Sequence, residues 1–292
     1  MTRRDGLPRM RVLLTGANGF IGRAFLSQAA ALGIDCLPFP GRLHELPDFS
    51  IKVEAVVHLA AVTRGSGEPE ARLALFETNV LGTQAVLDYC AAARAGLVLA
   101  STSGVYGRQG QASLLGEQAP LDPASDYALS KWLAEGLCRR HCERTGTAGI
   151  ALRFFNVFGP RQAQTFVVSE VIHRLLDGLP VVLRSPHAVR DFLAVDDVVL
   201  ALAAALGALK PGNWGVYNIG SGQGTRVIDL VDMVARVFGA EAAVDVSGAD
   251  YRVDRVVADI SKAASELGWR PRIALGEGLE MICRDMGPRC GG

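Results

Sequence analysis

A tyrosine and a lysine stand four positions apart in the segment DYALSK, at Tyr127 and Lys131. Four positions make about one turn of an α-helix, so the two side chains would share one helical face. A phenol has a pKa of about 10 in water and is a poor base at neutral pH. A neighbouring ammonium favours the phenolate and lowers this pKa, so Tyr127 could act as a general base. The same spacing also arises by chance on surface helices, and only the rest of the sequence can discriminate between the two interpretations.

The segment TGANGFIG follows the first apolar run of the chain and places glycines at positions 16, 19 and 22. Glycines at this spacing permit a tight turn and let backbone N–H groups approach a pyrophosphate at the start of a helix. Glycine triplets also serve ordinary turns and helix packing. Here a predicted strand precedes the segment and a predicted helix follows it, which is the context that a dinucleotide site requires.

The type of dinucleotide depends on the end of the second strand, where NAD-binding folds place an acid against the adenosine ribose. This chain has Pro40 at that point, 24 positions after Gly16, and Arg42 two positions further on. An arginine without the acid favours a 2′-phosphate and hence NADP. A solvent-exposed arginine at a strand end is the alternative, and Asp48 is a second candidate for the ribose or adenine. The choice between NAD and NADP stays open here.

Short apolar runs alternate with helical patterns through the first two thirds of the chain, which indicates a parallel sheet covered on both faces. The predicted fold class is α/β, a doubly wound parallel Rossmann-type sheet with right-handed crossovers and a smaller C-terminal substrate-binding domain. We assign residues 10–160 plus 190–220 to the dinucleotide-binding domain and residues 161–189 plus 221–285 to the nucleotide-sugar domain. The apolar face of a long helix over 70–94 is predicted to carry Leu73, Phe76, Val80, Ala85, Leu87 and Cys90.

The composition argues against several classes of function. In a chain of 292 residues the 30 basic and 30 acidic side chains cancel, so bulk charge offers no footprint for nucleic acid or an anionic membrane. We find no signal peptide and no apolar run long enough to span a bilayer, and we expect a cytoplasmic protein. The six cysteines form no C-x-x-C pair and have no accompanying histidine cluster, so we expect free thiols and no metal site.

Further motifs follow in a fixed order along the chain. They are TGANGFIG, HLAA (58–61), TNVLGT (78–83), STSGVYG (101–107), YALSK (127–131), LRFFNVFGPRQ (152–162), RDFLAVDDVV (190–199), YNIGSG (217–222) and ADISKA–ELGWRP (258–271). Over about residues 10–275 the chain resembles the extended short-chain dehydrogenase/reductase superfamily, in its NAD-dependent epimerase/dehydratase branch. The resemblance implies a nucleotide-sugar substrate, NAD as cofactor with NADP as the alternative, and a homodimer formed through the helices over 70–94 and 126–144.

The resemblance also implies roles for individual residues. Tyr127, Lys131 and Thr102 would be catalytic, with Ser103 as the alternative to Thr102. The residues implied to bind the cofactor are Gly16, Asn18, Gly19, Phe20, Ile21, Gly22, Arg42, Leu59, Ala60, Ala61, Asn79, Ser101, Tyr127, Lys131 and Phe155. Those implied to bind the nucleotide sugar are Thr102, Ser103, Asn156, Arg190, Arg252, Arg255 and Val256. A structural ion pair with Asp191 is the alternative for Arg190, and packing over a strand end is the alternative for Tyr106.

The two residues after Thr102 narrow the reaction. The family's dehydratases carry an Asp-Glu pair there, which removes a proton and expels water, whereas Ser103 and Gly104 cannot act as carboxyl acids or bases. In some 4-epimerases of the family the position that Val256 occupies controls the space for an N-acetyl group, so the resemblance implies that this small residue tolerates 2-acetamido sugars. We therefore expect a 4-epimerase that acts on UDP-hexoses or UDP-2-acetamido sugars through a transient 4-keto intermediate with bound NAD.

Two alternatives to the epimerase stay open. Because Arg42 replaces the expected acid, an NADPH-dependent reductase of 4-keto nucleotide sugars is the first. A non-enzymatic dinucleotide sensor is the second, although such proteins commonly lose the Tyr-Lys pair that this chain retains.

Overall fold

The computed structural model describes residues 9–45, 51–63, 68–109, 114–251 and 254–287. Its strands are β1 (Met10–Thr15), β2 (Ile34–Pro38), β3 (Ala55–His58), β4 (Gly96–Thr102), β5 (Gly149–Phe154), β6 (Asn156–Phe158), β7 (Val181–Val182), β8 (Val189–Ala194), β9 (Trp214–Ile219), β10 (Gly224–Arg226), β11 (Val244–Asp245) and β12 (Arg255–Val256). Its α-helices are α1 (Phe20–Ala29), α2 (Pro69–Phe76), α3 (Gly82–Ala93), α4 (Asp126–Thr145), α5 (Val167–Leu176), α6 (Val195–Ala208), α7 (Val227–Phe238), α8 (Ser261–Glu266) and α9 (Leu275–Met286).

Six strands form one parallel sheet in the order β2-β1-β3-β4-β5-β9. The chain passes to β2 on one side of β1 and to β3 on the other, so the direction of winding reverses at β1. At such a reversal a crevice opens beyond the carboxyl ends of the strands, where ligands bind in open α/β sheets. The predicted doubly wound α/β fold is confirmed, and the crevice lies beside Thr15 and His58, which are opposite each other in register.

Alternate side chains of the central strands enter two apolar layers. On β1, Val12 and Leu14 join a core shared with α1 and α6, whereas Leu13 joins the layer beneath α3 and α4. On β4, Val98 and Leu97 divide in the same way. Because each such side chain contributes roughly 1.5–3 kcal/mol on burial, the sheet is a firm platform for the loops at its carboxyl edge.

A second, smaller sheet is built around β8, which pairs with β6, β10 and β12. Helices α5, α7 and α9 pack over it in a separate apolar core that includes Phe158, Phe192, Leu230 and Leu279. Strands β6 and β8, which we assigned to the dinucleotide-binding domain, thus lie in a sheet with strands of the other segment. The division into two domains stays a prediction.

The segment predicted as one helix over 70–94 consists of α2 and α3 joined by a π-turn at Glu77–Leu81. A π-turn accommodates an extra residue and therefore shifts the helical phase. As a result Leu73, predicted on the buried face, is 60% exposed and Leu75 is buried in its place. This part of the prediction was wrong, whereas Leu87 and Cys90 after the π-turn are buried as expected.

Within the ranges given above, no helix is both long and apolar enough to cross a membrane. The cysteines in those ranges are free thiols, and Cys90, Cys138 and Cys142 are buried. Burial raises the pKa of the Cys138 thiol well above its ordinary value, so this group is a small apolar packing residue.

Candidate active site

The glycine-rich loop connects β1 to α1 and lies against the loop that follows β3. Gly16 has a φ of +73°, in the left-handed region that favours glycine. A Cβ atom on Gly16 would lie 2.5 Å from the backbone nitrogen of Ala60, and one on Gly22 would overlap the carbonyl oxygen of Gly16. Gly19 caps α1 without a side-chain hydrogen bond, and the first turn has no acidic residue. The loop is therefore a bare backbone cradle whose N–H groups suit an anionic ligand.

A cleft of about 720 Å³ adjoins this cradle and is lined by residues of the glycine loop, the loop after β2 and the π-turn. Arg42 lines it, is exposed, and donates no side-chain hydrogen bond to another described residue. Leu81 also lines it and is 65% exposed, an unusual exposure for a leucine. Glu77 contributes a carboxylate to the same wall. The cleft thus offers an apolar surface and a cation beside the cradle.

Asn18, Phe20 and Ile21 follow the cradle into α1, as predicted for a cofactor loop. Asn18 is exposed, and its carbonyl accepts a hydrogen bond from Arg23 Nη1 at 2.5 Å. A Cβ atom on Gly159 would lie 3.4 Å from the Phe20 ring, so the GPRQ turn after β6 closes over the start of α1.

His58, at the end of β3, is fully buried and joins the cradle to α3. Thr83 Oγ1 donates its proton to the carbonyl of Asn79 at 2.6 Å and therefore accepts from His58 Nε2 at 3.1 Å. His58 Nδ1 then accepts from Thr15 Oγ1 at 2.7 Å. Burial, and secondarily the charge of Lys131, lowers the pKa of His58 to about 3. The imidazole is thus a neutral structural link between β3, the glycine loop and α3.

Asn79 connects the loop after β3 to α4. The π-turn directs this side chain inward, where it is 0% exposed. Its Oδ1 accepts from the Val62 backbone N–H at 2.8 Å, and its Nδ2 donates to the Val62 carbonyl and to Ser130 Oγ, both at 2.9 Å. Ser130 Oγ in turn donates to the carbonyl of Tyr127 at 2.8 Å. Leu59, Ala60 and Ala61 lie within the loop that Asn79 fixes.

Tyr127 and Lys131 lie in the first turns of α4, which begins after Ser125, whose hydroxyl accepts from the backbone N–H of Ala128 at 3.2 Å. Lys131 is 1% exposed, and no hydrogen bond or ion pair joins its Nζ to another described residue. Burial lowers the pKa of Lys131 to about 8 and raises the pKa of Tyr127 to about 12. Desolvation of the phenol is the cause of this rise. That Lys131 favours the Tyr127 phenolate once a cofactor is bound stays a prediction.

Thr102 ends β4 and starts a short 3₁₀ turn over Ser103–Tyr106. Its Oγ1 accepts from the backbone N–H of Gly104 at 3.1 Å, which leaves the hydroxyl proton available to a ligand. A Cβ atom on Gly104 would lie 3.3 Å from that of Ala128, so this turn packs against the first turn of α4. Thr102 and Tyr127 are thereby carried by two elements in direct contact.

Three side chains near the site are too deeply buried to contact a ligand: those of Ser101, Tyr106 and Phe155. Ser101 Oγ donates to Glu135 Oε1 at 2.5 Å, and Tyr106 OH donates to Asn218 Oδ1 at 2.7 Å. Phe155 is 3% exposed and packs beside Tyr106. Any cofactor contact of Ser101 would thus use its backbone, and the packing alternative describes Tyr106.

The two residues predicted to bind the nucleotide sugar here, Asn156 and Arg190, are held by two neighbouring aspartates: Asn156 by Asp191 and Arg190 by Asp254. Asn156 Nδ2 donates to the Asp191 carbonyl at 2.9 Å. The Asp191 carboxylate is 0% exposed and accepts from the N–H groups of Ser221, Gly222 and Ala258. The alternative for Arg190, an ion pair with Asp191, was wrong. Arg190 Nη2 instead donates to Asp254 Oδ2 at 2.7 Å.

The remaining substrate candidates lie on or near β12. Val256 is 8% exposed and packs in a cluster with Val105, Tyr106 and Phe155. Arg255 is half-buried, and its Nη1 lies 3.1 Å from the position of a Cβ atom on Gly224. Arg252 and Asp48 lie outside the described residues.

Sequence reasoning missed a buried ion pair beneath the site. Arg153 Nη2 donates to Glu135 Oε2 at 2.7 Å, with both side chains about as buried as the core. The sole local signal was that Glu135 follows Lys131 by four positions, on the helical face already occupied by Tyr127.

Comparison with known proteins places this geometry among sugar-nucleotide enzymes. A dTDP-glucose 4,6-dehydratase from Actinoplanes sp. is 32% identical, in a match that covers 92% of this chain and 95% of that protein. GDP-6-deoxy-D-mannose reductase from Pseudomonas aeruginosa is 31% identical, in a match that covers 94% of this chain and 96% of that protein. The crystal structure of Thermus thermophilus UDP-glucose 4-epimerase in complex with NAD is 30% identical, with a TM-score of 0.83 and coverage of 96% and 100%.

Dehydratases, reductases and epimerases are thus all similar to this chain, and the nicotinamide dinucleotide predicted from the glycine loop is confirmed as the family's cofactor. The model of the NAD dependent epimerase/dehydratase family matches residues 12–220. The chain belongs to the NAD dependent epimerase/dehydratase family, whose members are NAD(P)-dependent enzymes that act on nucleotide sugars.

Proposed function

We propose that the protein is a nucleotide-sugar 4-epimerase that acts through a transient 4-keto sugar with bound NAD. The observation that carries the proposal is the ammonium of Lys131, which is buried one helical turn from Tyr127 and has no partner among the described residues. A buried charge without a partner is costly to a fold. Its presence beside a phenol supports a role in binding and catalysis.

The residues fit a bound dinucleotide in three respects. A side chain at Gly16 would collide with Ala60, so the position requires glycine. The bare backbone of the loop can then offer its N–H groups to a pyrophosphate. The apolar wall at Leu81 would cover an adenine, and Lys131 would donate to the nicotinamide ribose. When bound, NAD would supply the acceptor and donor of hydride and a positive charge that favours the Tyr127 phenolate.

Proton transfer falls to Tyr127 and Thr102. Tyr127 would accept the proton of the sugar's C4 hydroxyl and return it after the sugar has turned over in the site. Thr102 would donate to the same oxygen, since its own Oγ1 already accepts from Gly104. Ser103 is the alternative for this second role.

The substrate's diphosphate would lie by Asn156 and Arg190, with Arg252 and Arg255 as further candidates. Arg190 retains donors beyond those bound to Asp254 and Val189, because a guanidinium carries five N–H groups. UDP is the nucleotide we propose, in line with the UDP-glucose 4-epimerase among the similar structures. The small Val256 supports UDP-2-acetamido sugars as well as UDP-hexoses.

A 4,6-dehydratase is disfavoured by chemistry despite the 32% identity to one. That reaction needs a carboxylic acid and a base after Thr102, and this chain supplies Ser103 and Gly104. Gly104 also packs against Ala128, so a longer side chain at this position would require the turn to move.

One observation favours an NADPH-dependent 4-keto-sugar reductase as the second candidate. Arg42 lines the cleft beside the cradle, where the 2′-phosphate of NADP would bind, and its guanidinium donates to none of the residues that the structure describes. The same catalytic residues would then act once per cofactor molecule.

The first experiment identifies the cofactor and the reaction together. The protein is purified without added nucleotide and denatured, and the released compound is identified by chromatography. A second, native sample of the protein is incubated with UDP-glucose and with UDP-N-acetylglucosamine, and C4 inversion is followed by NMR. Near-stoichiometric NAD with inversion supports the epimerase, whereas an empty protein that prefers NADPH supports the reductase.

Two tyrosine variants complete the test. Tyr127→Phe should abolish turnover, and Tyr217→Phe should retain it. Tyr217, on β9, is a matched control because burial and the hydrogen bond to Glu266 also raise its pKa to about 12. Equal turnover in wild type and Tyr127→Phe would refute both candidate reactions.

A further inference from the structure

Glu135 lies one helical turn beyond Lys131, as Lys131 lies one turn beyond Tyr127. The inner face of α4 therefore carries a carboxylate that is 5% exposed next to an ammonium that is 1% exposed. Opposite charges at this spacing ordinarily pair, and burial strengthens their attraction. Among the described residues, however, Lys131 Nζ has no such partner, whereas both Glu135 oxygens are engaged elsewhere.

The partner of Glu135 is Arg153 on β5. Arg153 Nε donates to Glu135 Oε1 at 3.0 Å and Nη2 donates to Oε2 at 2.7 Å. Ser101 Oγ adds a third hydrogen bond, to Oε1 at 2.5 Å. Two parallel charge-assisted bonds fix a carboxylate in orientation as well as position.

Arg153 is itself fixed from the side away from α4. Its Nη1 donates to Tyr106 OH at 2.9 Å and to the Glu117 carbonyl at 3.3 Å. Tyr106 OH donates a hydrogen bond to Asn218 Oδ1 on β9. Because Arg153 is 4% exposed and Tyr106 and Asn218 are 0% exposed, the guanidinium cannot follow the carboxylate toward Lys131.

We infer that Arg153 is a positioning residue: it holds the Glu135 carboxylate away from Lys131, so that the ammonium stays free to bind a dinucleotide. The inference rests on the cofactor role proposed above for Lys131. It also explains why a carboxylate and an ammonium one turn apart on a buried face remain separate.

The titratable groups around Lys131 lie on β3 and α4 and, through the ion pair of Glu135, on β5. On β3, His58 is neutral at physiological pH. On α4, Tyr127 and Cys138 are also uncharged there, because burial raises the pKa of both groups. Glu135 on α4, which is paired with Arg153 on β5, is the remaining charged group. Burial lowers the pKa of Lys131, and the charge of Glu135 partly opposes this effect.

Removal of one or the other member of the Glu135–Arg153 pair should consequently shift the pKa of Lys131 in opposite directions. Glu135→Gln leaves the Arg153 cation and lowers the pKa of Lys131. Arg153→Met leaves the Glu135 carboxylate unpaired, free to turn to Lys131, and raises that pKa. Loss of packing alone would not produce shifts of opposite sign.

The experiment measures NADH binding by fluorescence against pH, with the full chain carrying Tyr127→Phe so that this phenol does not titrate. Affinity in this parent should fall as Lys131 loses its proton near pH 8. Glu135→Gln should move the fall to lower pH by about one unit, and Arg153→Met should move it to higher pH by about one unit. Arg153→Met should also bind NADH roughly tenfold more weakly at neutral pH, because the carboxylate then competes for the ammonium.

Several outcomes separate the possibilities. Glu266→Gln, which removes the carboxylate bonded to Tyr217, is the control and should leave the pH of the fall unchanged. If Arg153→Met does not fold, Arg153→Lys keeps the cation but loses the two-bond geometry, and it should show a smaller upward shift. Shifts of the same sign in the Glu135 and Arg153 variants, or none, would overturn the inference. Opposite shifts without turnover of any sugar nucleotide would preserve it while the proposed function fails.

Discussion

Lys131 is the residue at which function and stability conflict. Its pKa is lowered from the ordinary 10.5 to about 8, mainly by burial. At neutral pH the folded chain thus carries a charge that costs about 3 kcal/mol relative to the unfolded chain. A residue that the fold tolerates only at such a cost is retained for what it binds.

We predict that Lys131→Met stabilises the protein at pH 7 by roughly 1–3 kcal/mol and abolishes turnover, because an apolar side chain replaces a buried ammonium that pairs with no described residue. Urea unfolding measures the gain. Between about pH 8 and 10.5 the unfolded wild type binds one more proton at Lys131 than the folded wild type does, so wild-type stability rises with pH there. The advantage of the variant should therefore shrink across that window. Lys262→Met, at a lysine that donates to the Val216 carbonyl, is the control and should give no gain; equal gains in both variants would refute the argument.

Val256 carries a prediction about the sugar. Its side chain packs with Val105 and Phe155, one strand away from Arg190. Val256→Tyr should reduce kcat/KM for UDP-N-acetylglucosamine at least tenfold more than kcat/KM for UDP-glucose, because the ring fills space that an acetamido group needs. The ratio of the two constants cancels any general loss from overpacking. Val256→Ala should leave the ratio unchanged, and an unaltered ratio in Val256→Tyr would exclude the specificity role.

At the scale of elements, His58 joins β3, the glycine loop and α3. Its pKa of about 3 lies well below the ordinary 6.5, because burial opposes protonation. Between these values the unfolded chain holds a proton that the folded chain does not, so stability is lost as the pH falls from 6.5 toward 3. His58 should therefore contribute a change of about 1.4 kcal/mol in the free energy of unfolding per pH unit in this range.

His58→Gln should therefore make unfolding less dependent on pH between about 6.5 and 4, while lowering stability at pH 7 by about 1–3 kcal/mol through lost hydrogen bonds. Denaturant unfolding at several pH values measures both effects. Thr83→Val removes the partner of Nε2 but keeps the imidazole, so it should lower stability without changing the slope. A slope in His58→Gln equal to that of wild type would contradict the assignment.

Local spacing explains which elements and residues could be predicted from sequence. The strands of the six-stranded sheet are mostly continuous apolar runs, and the Gly16 loop and the Tyr127–Lys131 pair are each defined within a few positions, so pattern alone located them. The π-turn at Glu77–Leu81 has no such signature, since the apolar spacing over 70–94 fits one uninterrupted helix. Asp254 as partner of Arg190 is 64 positions away, and only the folded chain brings the two together.

At the scale of the whole molecule, α4 separates two surfaces with different tasks. Its inner face carries Tyr127, Lys131 and Glu135, while Trp132 and Leu133 on the same helix are each 42% exposed. Leu73 on α2, which packs against α4, is 60% exposed. Large apolar side chains left in water on neighbouring helices are typical of interaction surfaces, and they support the homodimer expected from the resemblance.

We predict that the protein sediments at twice its chain mass of 31.0 kDa, and that Trp132→Glu combined with Leu133→Glu yields monomers, because two buried carboxylates facing their symmetry mates would repel and be desolvated. Leu179→Glu, at a leucine that is 50% exposed after α5, should remain dimeric. Since the packed interface would also brace the helix that presents Tyr127 and Lys131, the monomer should lose kcat while its glycine cradle still binds NADH. A monomeric wild type, or a double variant of unchanged mass, would show that α4 faces solvent and that its inner face is held by Asn79, Ser130 and Arg153 without help from a second subunit.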